Sequence, residues 1–173
     1  MRKFLKLHLS SSMQSYGKSC YTEVRTTHDA PTRSAVLGMI EAAMHIRFFE
    51  EEKKQKLSDQ LMIAVENNEQ IIRRMRDFQV VKSCKDPKGF LTASGDHKER
   101  MPLVYKDYLM EAEFVVRVIG EEDVIKDVAI ALRHPAYPIY LGRKCCIPNR
   151  PIFDGTIEDY DENEMEETCI NLS

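Results

Sequence analysis

No stretch of this 173-residue chain approaches the roughly 20 consecutive apolar residues that a membrane-spanning helix requires. Met1–Leu9 starts basic but is interrupted by Lys6 and His8, so it lacks the unbroken apolar core of a signal peptide. A chain of this kind is expected to stay in the cytoplasm. Its seven glycines are too few and too scattered for a phosphate-cradling loop, and no P-loop, G-x-G-x-x-G, H-E-x-x-H or G-x-S-x-G pattern occurs. The five cysteines form no C-x-x-C pair, and vicinal Cys145 and Cys146 match no zinc spacing, so reduced thiols are expected. His8, His28, His45, His97 and His134 never fall at i,i+4. Neither a metal nor a cofactor is expected.

What the chain does have is an uneven charge. It carries 25 Lys+Arg against 28 Asp+Glu, for a net −3. From Asp154 onward there are eight acids and no base, so the rest holds 25 bases against 20 acids, a body of +5. A modestly basic body suits a polyanionic partner. The acidic segment 154–173 is expected to be a disordered tail, with shielding of the basic face by mimicry of nucleic acid as a further idea.

Periodicity gives the organisation. Residues 2–9 alternate Phe4, Lys6 and His8 against Leu5, Leu7 and Leu9, a strand with one buried face. Residues 10–31 read as an extended polar loop. A helix over about 33–46 follows, with Thr32 or Ser34 as N-cap and Gly38 marking a close backbone approach. Glu50/Lys54 and Glu52/Lys56 at i,i+4 favour a short exposed helix, and Leu61–Val65 reads as a strand. Residues 70–106 carry nine bases and four acids and read as a basic β-hairpin arm with Phe78 and Phe90 as possible wedges. The alternation through Ala112, Phe114, Val116 and Val118 marks another strand, turned at Gly120. Glu121, Glu122 and Asp123 open a helix that Arg133, His134 and Pro135 close. A final strand is expected between Ile139 and Ile157. The order β-α-β-(arm)-β-α predicts an α+β fold of the ferredoxin-like (RRM-like) split βαβ plan, spanning 1–153, with the arm as an inserted β-hairpin thumb.

The residue types favour binding of single-stranded RNA, which is held by cations on its backbone, aromatic stacking and contacts to base edges. Candidates are Gln14, Ser15, Tyr16 and Arg25 in the first loop, Arg33 and Ser34 at a helix start, Arg100 and Lys106 in the arm, and Tyr140, Gly142, Arg143 and Lys144 beyond it. Tyr16, in a polar loop, is expected to be exposed; Arg33 has Asp29 as a possible ion-pair partner. A metal-independent endoribonuclease is the second reading, with His97, Lys98 and Tyr105 able to supply a base and a cation. A protein-interaction module without nucleic acid is the third.

The blocks Met1–Leu9, Met13–Gly17, Pro31–Gly38, Tyr108–Phe114 and Tyr137–Phe153, in this order, resemble the CRISPR-associated CasD family of the RAMP superfamily. Tyr108–Phe114 resembles that family's central strand; after Phe153 the chain departs from the family pattern. The resemblance implies the ferredoxin-like fold with a thumb. It also implies a non-catalytic subunit of a type I (type I-E-like) Cascade that grips the 5′ handle of the guide RNA. Such a subunit abuts the backbone and large subunits, and meets target DNA only indirectly.

Overall fold

Strand β1 (Arg2–Ser10) is the hub of the larger sheet, and its alternation explains why. Leu5, Leu7 and Leu9 are wholly buried on one face, each contributing roughly 1.5–3 kcal/mol of apolar transfer. Antiparallel to β1 runs β9 (Glu113–Glu121), in unbroken register from Arg2↔Glu121 to Ser10↔Glu113. In this computed structural model, which describes residues 1–18, 23–66, 70–80, 90–91, 94–98, 103–162 and 169–171, only the backbone is described at 90–91, 97–98 and 169–171. Strand β4 (Met62–Glu66) flanks β9, β11 (Cys169–Asn171) flanks β4, and β10 (Phe153–Asp159) flanks β1. The sheet order is β10-β1-β9-β4-β11, antiparallel throughout.

Helices α1 (Arg33–Ala43) and α3 (Glu122–Arg133) pack on each other and share one apolar core with the leucine face of β1. Val36, Leu37, Met39, Ile40 and Ala43 line α1; Ile125, Val128, Ala129 and Leu132 line α3. Helix α2 (Glu51–Gln60) buries only Leu57. Among the described residues, no helix is long and apolar enough to cross a membrane.

The second sheet is built around β8 (Leu103–Met110). Strand β5 (Arg73–Val80) pairs antiparallel along its whole length, while β2 (Met13–Gln14) and β3 (Val24–Arg25) take its other side, β3 in parallel. The basic segment expected as a hairpin arm thus forms a paired ribbon within a larger sheet. Strands β6 (Phe90–Leu91) and β7 (His97–Lys98) pair with each other.

Several expectations need correction. Helix α1 stops at Ala43 because, after Met44 makes the last helical bond to the Ile40 carbonyl, His45 takes a left-handed φ of 61° and Ala136 N–H caps the Ala43 carbonyl at 3.0 Å. Thr32, rather than Ser34, is the cap. Gly38 has open space around it, so no neighbour explains it. Gly120 lies inside β9 and does not turn the chain; a Cβ there would meet the Gln60 carbonyl at 3.0 Å and the Leu61 side chain at 3.1 Å. The ion pairs near the start of α2 join residues three apart, Glu50–Lys53 and Glu51–Lys54. Tyr108–Phe114 is no single strand: Glu111, at φ 51°, separates β8 from β9.

The acidic segment is also different from expectation. Residues 154–159 lie in β10, and their acids meet basic residues on both faces of β1: Asp159–Lys3 at 2.7 Å on one face, Glu158–Lys6 at 3.0 Å and Asp154–His8 at 3.4 Å on the other. Opposite charges placed side by side across a strand pair stabilise the pairing. Lys3 and Lys6 therefore serve the sheet. The remainder of the acidic segment, apart from 160–162 and 169–171, lies outside the described residues, as do Cys20 and Cys84.

Candidate nucleic-acid interface

The loop expected to present Gln14, Ser15 and Tyr16 to solvent is buried instead. Tyr16 is 1% exposed, its ring edge-on to Phe114 at 6.3 Å, and its hydroxyl donates to Gln14 Oε1 at 2.6 Å. Burial pushes the Tyr16 phenol far above its ordinary value. Gln14, wholly buried, donates through Nε2 to the Leu9 carbonyl at 3.1 Å and the Ala112 carbonyl at 2.5 Å. Ser15 Oγ donates to the Asp107 carbonyl at 3.1 Å. Each polar atom here has an internal partner, which is what makes burial tolerable. These side chains join the two sheets; Tyr16 offers no ring to a base.

Arg33 is likewise turned inward. Its guanidinium donates to the Ser58 carbonyl at 2.7 Å and the Leu61 carbonyl at 3.2 Å, tying α1 to the end of α2. Asp29, its expected partner, pairs with Arg74. Ser34 is exposed beside Thr32, its Oγ 3.2 Å from Thr32 Oγ1.

A different set of residues converges on β8. Arg143 donates to the Arg25 carbonyl at 3.1 Å and the Asp107 carbonyl at 3.4 Å, and its guanidinium lies 4.7 Å from the centre of the Tyr108 ring. Arg25 and Lys106 are register neighbours across β3 and β8. Gly142 makes this closure possible: at φ 100° its missing Cβ would sit 1.7 Å from the Ser15 carbonyl oxygen. Lys144 is exposed on the same loop and Tyr140 is half-buried before it. Lys106 Nζ donates to Gln79 Oε1.

Along the ribbon, Arg74, Arg76 and Phe78 alternate on one face of β5, opposite Leu109, Asp107 and Tyr105. Arg76 grips Asp107 with two bonds, Nε to Oδ1 at 2.7 Å and Nη2 to Oδ2 at 3.0 Å. That bond, with Arg74 and Arg143 nearby, holds the Asp107 carboxyl below the usual range. Phe78 tilts against Tyr105 at 5.2 Å between ring centres. Among the described residues, the side chains of Arg73, Arg25 and Lys144 have no acidic partner. The outcome is a ribbon and loop cluster with several cations, the rings of Phe78, Tyr105 and Tyr108, and two carboxylates, Asp107 on Arg76 and Asp29 on Arg74, that order it.

The bases of the arm, Arg74 and Arg76 among them, were visible as a charge excess, but reasoning from sequence missed Asp107 and Tyr108 as members of this cluster. The signal was Asp107, the acid after Lys106 and between Tyr105 and Tyr108, but its pairing with Arg76 depends on strand register. Arg100 lies outside the described residues. His97 and Lys98 lie on β7 with undescribed side chains, so whether they approach Tyr105 is outside the described residues as well.

The sequence matches the family described as CRISPR-associated protein (Cas_Cas5) over residues 4–168. The chain belongs to this family. The CRISPR system Cascade subunit CasD of Escherichia coli (strain K12) is 30% identical over 171 residues, covering 93% of this chain and 74% of that protein. A chain of a solved CRISPR RNA-guided surveillance complex superposes with a TM-score of 0.70 at 27% identity. That match covers 87% of this chain but 61% of its counterpart, so this family member spans less than two thirds of that chain's length. A crystal structure of a Cas protein matches with a TM-score of 0.59 at 27% identity, over 92% of this chain and 68% of the other. A chain from a Type III-B Cmr-beta structure shares the fold alone, at a TM-score of 0.52 and 9% identity.

Proposed function

We propose that this family member is a non-catalytic RNA-binding subunit of a Cascade-type CRISPR surveillance complex. In this reading it grips the 5′ handle of the guide RNA and contacts the backbone and large subunits, with target DNA reached only through the guide. The observation that carries the reading is the β5–β8 ribbon, where exposed Arg74 and Arg76 share a face with the Phe78–Tyr105 pair, exposed Arg73 begins β5, and the Arg25–Arg143–Lys144 cluster lies at the other edge of β8. Cations spaced along a ribbon with aromatic rings between them suit a single strand, whose phosphates need charge and whose bases need flat surfaces. Asp107 orders Arg76 rather than cancelling the whole patch. The sheet order β10-β1-β9-β4, with α1 and α3 on one face, supports a ferredoxin-like core in which the ribbon acts as the thumb.

Fluorescence anisotropy tests this. Handle RNA should bind more tightly than a scrambled strand, and affinity should fall steeply with salt, by a slope of about 0.7 per phosphate contacted. Arg73→Ala and Lys144→Ala should each flatten that slope. Equal affinity for both RNAs would count against the proposal. Clean cleavage of repeat RNA in EDTA, lost on His97→Ala, would replace it with the nuclease reading.

A further inference from the structure

The connector between α1 and α2 holds two consecutive phenylalanines out in solvent: Phe48 is 87% exposed and Phe49 72%. Phe4, Phe114 and Phe153 are all buried. The connector is nonetheless well built. Ile46 N–H reaches the Glu41 carbonyl at 2.9 Å; Arg47 N–H donates to Glu50 Oε2 at 2.8 Å, and Glu50 N–H returns to the Arg47 carbonyl at 3.0 Å. At its base, the Tyr137 hydroxyl lies 3.0 Å from His45 Nε2. The Arg47 guanidinium stands 5.9 Å from the Phe49 ring centre and Lys54 Nζ 5.4 Å from that of Phe48. The rings are therefore presented on an ordered loop, which lowers the entropy cost of docking them.

We infer that Phe48 and Phe49 form an anchor for another protein subunit of the same assembly, one that offers an apolar pocket with a carboxylate at its rim to meet Arg47. Local charge favours a protein over RNA. Lys53 is paired with Glu50 and Lys54 with Glu51, and Glu50, Glu51 and Glu52 together balance Arg47, Lys53 and Lys54, whereas strand β5 carries Arg73, Arg74 and Arg76 against Asp77 alone. Two aromatic side chains bury about 150–250 Å² each, less than the roughly 800 Å² per partner of a stable interface. The pair is thus the centre of a larger contact, as buried aromatic anchors commonly are. This inference rests on the proposed membership of a complex.

The experiment is reconstitution of the full chain with guide RNA and the accompanying protein subunits, read by native mass spectrometry. The double variant Phe48→Ser/Phe49→Ser should keep the free chain's melting temperature and its guide affinity within about two-fold, while affinity for a protein subunit falls by about 30-fold or more. p-Benzoylphenylalanine at position 48 should crosslink to that subunit. Assembly of wild type and variant alike would overturn the anchor and leave the complex intact. Crosslinking to RNA, or to a second copy of this chain, would also overturn it. Failure of the wild type to assemble would remove the underlying reading as well.

Discussion

Replacing Tyr16 by Phe removes one oxygen and separates two accounts of this residue. In the structure, the hydroxyl donates to Gln14 Oε1 at 2.6 Å inside a site where both residues are buried. Gln14 cannot turn to find another donor, because its Nε2 is committed to the Leu9 and Ala112 carbonyls. Tyr16→Phe therefore leaves a buried carbonyl oxygen without a partner, at a cost of about 1–3 kcal/mol. For a domain of this size a central value of about 2 kcal/mol lowers the melting temperature by about 4–8 °C. In a Gln14→Met background the same change should cost almost nothing, because the oxygen it orphans is gone; the cycle should show a coupling of about 2 kcal/mol. RNA affinity, measured well below the transition, should not change. If Tyr16→Phe melts within a degree of wild type while RNA binding drops ten-fold, then Tyr16 is not the core residue argued for.

Gly38→Ala should stabilise the protein by about 0.5–1 kcal/mol in urea denaturation, since the position is helical and has open space for a methyl group. Gly142→Ala should do the opposite, by more than about 3 kcal/mol or with loss of soluble protein, because the new Cβ would strike the Ser15 carbonyl and φ is 100°. Asp107 titrates below its ordinary value because Arg76 bonds its charged form, so its contribution is present above about pH 4 and is lost as pH falls through the lower folded value. Asp107→Asn should therefore weaken the protein at pH 7 and flatten the acid limb of its stability profile below about pH 4, both measurable by thermal melts across pH.

The strands and helices were legible where a single periodicity governed a segment. Leu5, Leu7 and Leu9 announced the buried face of β1, and Val36 through Ala43 announced α1. The basic ribbon was visible as a charge excess over 70–106. The first loop was misjudged because Ser15, Gln14 and Tyr16 look alike whether polar groups meet water or each other. Nothing local distinguishes a tyrosine that stacks on a ligand from one whose hydroxyl is capped by a glutamine two residues away. Arg33 was misread for the same reason: a cation at a helix start suggests an anion, yet the carbonyls it binds belong to a helix end 25 and 28 residues later.

Composition and local pattern by themselves determined β1, β4, β9 and the three helices, the basic character of the body and the family to which the chain belongs, because each depends on residues close in sequence. Tertiary structure decided which cations are spent on the fold and which stay free. Lys3 and Lys6 are paired with acids of β10, Arg33 is bonded to carbonyls and Arg76 to Asp107, while Arg73, Arg25 and Lys144 have no acidic partner among the described residues. That division depends on contacts between distant segments. A guanidinium's chemistry is the same everywhere in the chain; the oxygens within 3 Å of it are chosen by the fold.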